Sequence, residues 1–136
     1  MQGKLVGGSS ATFPYQVSAV GSNANTDALG INWGSSSGPM RGAIRAGGVG
    51  TLDLIAGSAK TAGSSFKSAI AYATNDGNFA TEGAVSTTDT SVTLPLAQSL
   101  LIGGAAVFQP VASTWFSGIT YYPVRLSDRQ LQVATI

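Results

Sequence analysis

"SSFKSAIAYATNDGNFATEGAV", residues 64–85, decides the fold, because its first eleven residues fit two different periods. Read with period two, Phe66, Ser68, Ile70 and Tyr72 fall on one face and Lys67, Ala69, Ala71 and Ala73 on the other, as in a half-buried strand. Small residues blunt that alternation, so helix competes. The residues that follow favour strand: "TNDGN" is turn chemistry, and "FATEGAVS" reads as a hairpin with Glu82 and Gly83 at its tip.

The flanking sequence has the same grammar. Upstream, "FPYQVSAVGS" puts Phe13, Tyr15, Val17 and Ala19 on one side, "GSNANTD" turns the chain, and "ALGINWG" places Leu29, Ile31 and Trp33 on a common face before the "SSSGP" loop. "MRGAIRAG" and "TLDLIAG" are two more strands, and the glycines of "GGVG" between them permit the positive φ angles of a hairpin turn. Downstream, "SVTLP", "SLLIGG" and "TWFSGITYY" complete the set. Eight to ten short strands at regular spacing predict an all-β fold, an antiparallel β-sandwich or barrel.

The chain closes differently. In "YYPVRLSDRQLQVATI", Pro123 stops the last strand and a short helical turn follows. Ser127 and Gln130 have the spacing of a reciprocal capping box, and Leu126 and Leu131 stand at staple positions. Asp128 falls in the first turn, where a carboxylate favours the positive end of the helix dipole. The expected task of this segment is to lock the C-terminus against the sheets.

Composition sets outer limits. One domain over residues 1–136 is the length prior, and a domain of that size buries roughly two-thirds of the surface of its unfolded chain. Apolar residues make up 43% and charged residues 10%, with a formal net charge of +1, which argues against disorder. The seven basic residues are scattered and form no phosphate-tracking stripe, so nucleic acid is excluded as the expected partner. With no cysteine and no histidine, disulfides, the usual zinc sites and every His-based triad are ruled out. "MQGKLVGGSS" has no apolar signal-peptide region and no window suits a membrane span, so a soluble polypeptide without its own export signal is expected.

"FKSAIAYATNDGNFATEGAVSTTDTSVTLP", "LLIGG" and "FSGITYYPVRLSDRQLQVAT" together resemble the C-terminal half of the concanavalin A-like lectin/glucanase (laminin G-like) jelly-roll modules of bacteriophage tail proteins. The resemblance covers about half of the chain, with several motifs in order. It implies a concanavalin A-like jelly roll, glycan recognition without catalysis, and a place on the virion or outside the cell. Two features depart from the pattern. The hairpin tip is Glu82-Gly83 where Asn-Gly is usual, and the N-terminal side looks one or two strands short. A short N-terminus would leave a strand edge unpaired, and an open edge invites association, including a homo-oligomer. The rival to glycan binding is therefore a structural or oligomerisation module of a virion protein with no sugar site.

Sugar binding needs a flat ring to stack on a pyranose and polar groups to satisfy its hydroxyls. Trp33, before the "SSSGP" loop, and Trp115, at the start of the last strand, are candidates, with core packing the competing reading for each. Tyr121 and Tyr122 are expected on opposite faces of a strand, one in the core and Tyr122 as the ligand candidate. Asn75, Asp76 and Asn78 are the polar candidates in "TNDGN". Asn23, Asn25 and Asp27 in "GSNANTD" could hold a calcium ion, but one carboxylate per loop is few for calcium, and turn chemistry is the favoured reading of both loops.

Enzyme readings lack their residues. The glucanases of this fold place carboxylates in an E-x-D-x-x-E run that is absent here, and Glu82, the only glutamate, is paired at best with Asp89. A serine nucleophile would need Lys60 or Lys67 as base, with nothing to fix the geometry.

Overall fold

In the computed structural model the described residues are 2–7, 15–21, 26–33, 38–61, 63–102 and 113–136. They form ten strands and one helix: β1 (Gln2–Gly7), β2 (Tyr15–Val20), β3 (Ala28–Trp33), β4 (Pro39–Ala46), β5 (Val49–Ala59), β6 (Ser65–Ala73), β7 (Asp76–Thr81), β8 (Ala84–Val85), β9 (Ser99–Ile102), β10 (Ser113–Gly118) and α1 (Asp128–Val133). Among them every pairing is antiparallel, in two five-stranded sheets ordered β10-β1-β6-β7-β8 and β5-β4-β3-β2-β9.

The contested segment is a strand. It pairs with β7, which a two-residue turn at Glu82 and Gly83 joins to β8 with φ of 48° and 76°; in the other sheet Gly47 and Gly48 join β4 to β5 in the same way with φ of 57° and 83°. Positive φ at both central residues matches the twist of the flanking strands. "TNDGN" corrects the sequence reading, since only Thr74 and Asn75 turn, Asn75 at φ 58°, while Asp76, Gly77 and Asn78 already belong to β7.

The core draws on both sheets. Ile31, Met40 and Ala56 from one sheet pack with Phe66 and Phe79 from the other, and a second cluster joins Leu29, Ile44 and Leu52 to Val92. The approach is close at Gly42 of β4, where an added Cβ would lie 2.9 Å from Phe79 Cδ2 and 3.1 Å from Ile70 Cδ1. Gly77 of β7 is its counterpart, since a Cβ there would run into Leu52 of β5. Buried Ser68 and Thr81 satisfy each other across β6 and β7 through a 2.9 Å hydroxyl bond, and Thr81 Oγ1 donates to the Lys67 carbonyl at 3.0 Å.

The blunt periodicity of β6 now has a cause, because both of its faces are covered. Phe66 and Ile70 face the other sheet, while Ala71, with Ala80 of β7, forms a shallow seat for Leu131 of α1, only 1% exposed. The helix is capped as its sequence predicts. Gln130 N–H donates to Ser127 Oγ, and Ser127 N–H donates to Gln130 Oε1 at 2.9 Å. Its end clasps the β7–β8 turn, where Gly83 N–H donates to Thr135 Oγ1 at 3.2 Å and Gln132 Nε2 donates to the Gly83 carbonyl at 2.8 Å. Lys67 Nζ donates to the Ile136 carbonyl.

Three strand expectations change. "QGKLVG", unassigned by its sequence, is β1 and lies between β10 and β6. "SVTLP" forms no strand; this part of the chain contributes the isolated Gly77–Asp89 bridge and the buried Val92. The last strand stops at Gly118, which pairs with Gln2 of β1, instead of running to Tyr122.

Candidate functional site

The register of β1 sets up a groove. Gln2 stands opposite Lys67 on one side and Gly118 on the other. Past that level β6 continues to Ala73 and the chain after β10 continues through Ile119–Arg125. These two stretches line a groove of about 490 Å³ floored by Leu29 and Ile31, with Leu100, Leu126 and Leu131 along its walls. Its lining is mainly apolar, with Ser68, Thr120, three tyrosines and Arg125 as its polar members.

Tyrosines mark the rim. Tyr121 is 76% exposed and Tyr122 49% exposed, so the expectation that one of them is a core residue is corrected: outside a strand, the pair does not alternate between core and solvent. Tyr72 is half-buried beside them. Burial pushes its phenol above the ordinary tyrosine value, and the neighbouring Tyr121 phenol adds to the rise.

Arg125 anchors one end of the groove. Its Nη2 lies 2.6 Å from Asp76 Oδ1 and 3.3 Å from Asp128 Oδ1, and its Nη1 donates to the Leu126 carbonyl at 2.6 Å. Asp76 at the start of β7 therefore ties the Tyr-Tyr-Pro segment to the sheet. Asn78, two residues on along the same face, is fully buried, and among the described residues neither its Oδ1 nor its Nδ2 finds a partner, nor does the buried Arg125 Nε. Unsatisfied buried groups of this kind cost about 1–3 kcal/mol each.

The sequence-derived candidates separate accordingly. Tyr122 lines the groove, Asp76 reaches it through Arg125, and Asn75 sits exposed at the adjacent turn, its N–H donating to the Val92 carbonyl at 2.8 Å. Asn78 is buried on the face of Ala71 and Ala80, the face that carries the C-terminal helix. Trp33 ends β3 opposite Met40, and Trp115 lies in β10 opposite Lys4, so they belong to different sheets; their side chains lie outside the described ones. Asn23 and Asn25 lie outside the described residues. Asp27 accepts from the backbone N–H groups of Gly47 at 3.4 Å and Leu96 at 3.3 Å, long-range bonds that tie it to the β4–β5 turn and to the chain ahead of β9. Among the described residues no cluster of three His, Cys, Asp or Glu gathers, and no helix is long and apolar enough to cross a membrane.

Tyr72, Tyr121, Ile119, Leu100 and Arg125 were not singled out as site residues by sequence. The paired tyrosines before Pro123 were a visible signal for the rim, but the register that opens the groove was not. Comparison of the chain with protein-family models, curated proteins and solved structures finds no match.

Proposed function

We propose that the two sheets form a concanavalin A-like β-sandwich, a single domain that acts as a non-catalytic glycan-binding module on a virion or outside the cell, with Tyr121 and Tyr122 as its stacking surface. The observation that carries this reading is two largely exposed aromatic rings on the rim of a groove that also offers hydroxyls and Arg125. Tyrosine supplies an apolar face with a polar tip, the combination a sugar ring requires. Each neutral hydrogen bond contributes about 0.5–1.5 kcal/mol, so one site binds weakly and a multivalent display raises the avidity.

A non-catalytic role agrees with the carboxylates. Glu82 sits on an exposed turn in an ion pair with Lys60, and two bonds from Ser91 lower the Asp89 pKa, whereas a general acid needs a raised one. The test is a glycan panel probed with multimerised protein and its Tyr121→Ala and Tyr122→Ala variants. Because both rings are exposed, the variants should keep the parent melting temperature and lose binding. A panel that stays blank for the parent refutes the reading.

A second reading, a structural module, is favoured by a different observation. Leu96, Leu100, Ile102, Ile119 and Val124 are all at least 41% exposed, an apolar display suited to a protein partner.

A further inference from the structure

We infer that residues 119–126 are a lid: the segment lifts by parting Arg125 from Asp76 while α1 stays seated, and its closure fixes the positions of Tyr121 and Tyr122. Both of its ends are anchored. Gly118 pairs with Gln2 at the end of β10, and Ser127 caps α1, whose Leu131 is buried on Ala71 and Ala80. Beyond Leu131, Thr135 and Gln132 bond the N–H and the carbonyl of Gly83. Between these anchors the chain is lightly held. Every residue from 119 to 124 is exposed, and among the described residues no main-chain hydrogen bond reaches 119–126. An unbonded backbone with few buried apolar contacts is where a fold opens locally, ahead of global unfolding.

What holds the lid down is polar. Arg125 Nη2 lies 2.6 Å from Asp76 Oδ1 and 3.3 Å from Asp128 Oδ1. Asp128 belongs to α1 and stays with the helix, so Asp76 is the tie to the sheet. The Asp76 side chain is 42% exposed, and an ion pair open to water is screened and weak. Asp76, Asn78 and Ala80 follow one another on one face of β7, which places Asn78 between the Arg125 latch and the Leu131 seat. Lifting the lid returns the buried Asn78 carboxamide and Arg125 Nε to bulk water, which favours polar groups. Lifting the helix would instead expose Leu131 and two alanines. The polar joint therefore opens first. Asp76 and Arg125 are positioning residues, acting on a ligand through the tyrosines they place; that consequence rests on the glycan reading, whereas the lid does not.

The chain has no cysteine, so one introduced thiol reports an opening. Asn78→Cys places it under the lid and Ala80→Cys under the helix seat. In the whole chain, labelling by an aromatic disulfide is compared with the urea stability of each variant. The first thiol should be about tenfold or more less protected than its variant's global stability allows, with a shallow dependence on low urea, since a small opening exposes little surface. The second should stay protected close to the global limit. Asp76→Asn should speed labelling of the first about threefold, and Asp76→Glu, which keeps a carboxylate, should speed it less. Two thiols protected alike up to the global limit overturn the inference, as does a first thiol indifferent to Asp76→Asn. A second measurement leaves the buried residues intact. Chymotrypsin cleavage after Tyr121 in the cysteine-free chain should show the same shallow urea dependence and the same acceleration by Asp76→Asn; cleavage that waits for global unfolding, or that Asp76→Asn leaves unchanged, also overturns the lid. No glycan enters either assay, so a blank glycan panel and a failed lid are distinguishable.

Discussion

Gly42→Ala adds one methyl group where two sheets meet. That methyl would sit 2.9 Å from Phe79 Cδ2 and 3.1 Å from both Phe79 Cβ and Ile70 Cδ1. Phe79 is fully buried and has no room to withdraw. Overpacking of this sort costs about 1–3 kcal/mol. Against it stands a gain of about 0.4–1 kcal/mol, because alanine restricts the unfolded chain more than glycine does. The net expectation is a loss of about 1–2 kcal/mol, or about 3–10 °C in melting temperature for a domain of this length. Gly50→Ala is the internal control, a strand glycine with nothing within 4 Å of its added Cβ, and it should be neutral or stabilising. Urea denaturation of both variants, repeated in a Phe79→Leu background, separates contact from propensity. The smaller side chain should relieve the Gly42→Ala penalty by at least about 0.5 kcal/mol, the coupling expected of touching residues. If Gly42→Ala is as benign as Gly50→Ala, or if its cost is unchanged in the Phe79→Leu background, the two sheets do not pack as described.

Three further outcomes follow from the same contacts. Leu131→Ala empties the seat on Ala71 and Ala80 and should cost about 2–5 kcal/mol by urea denaturation, a loss below about 1 kcal/mol showing that the tail does not clasp the sheet. Tyr72, raised by burial and then by Tyr121, should titrate above its value in the denatured chain by ultraviolet absorbance; the unfolded state then loses its proton first, so stability falls as pH rises past about 10, and Tyr121→Phe should reduce the shift without abolishing it. Asp89 is lowered by the Ser91 hydroxyl and then by the Ser91 N–H, so its contribution to stability is present above the unfolded carboxylate value and fades as pH falls through the folded one; Ser91→Ala should raise the Asp89 midpoint in a carboxyl NMR titration, and an unmoved midpoint would contradict that cause.

Much of the fold was legible because it is written locally. Two-residue turns at Gly47–Gly48 and Glu82–Gly83, the alternation of β4, and the Ser127–Gln130 box are short-range signals that the structure retains. The β1 strand was not legible, because "QGKLVG" offers little alternation and earns its place through long-range ladders to β10 and β6. Tyr121 and Tyr122 misled for a related reason: the residues suit a strand, but among the described residues no ladder to β10 extends past Gly118 to make one. Asn78 shows the opposite error. An Asn-Asp-Gly run looks like an exposed loop until the tight turn at Asn75 pulls its second half into β7 and beneath the C-terminal segment. The groove depends on where three ladders end, which no single stretch of sequence records.

The most direct measurement is a set of proton–proton Overhauser contacts in the labelled protein. Cross-peaks between the Phe79 ring and the Gly42 Cα protons, together with cross-peaks from the Leu131 methyls to those of Ala71 and Ala80, are the predicted result. Intact strand-to-strand contacts within each sheet with both of these sets missing would contradict the account, because the sheets would then neither face each other nor carry the C-terminal helix.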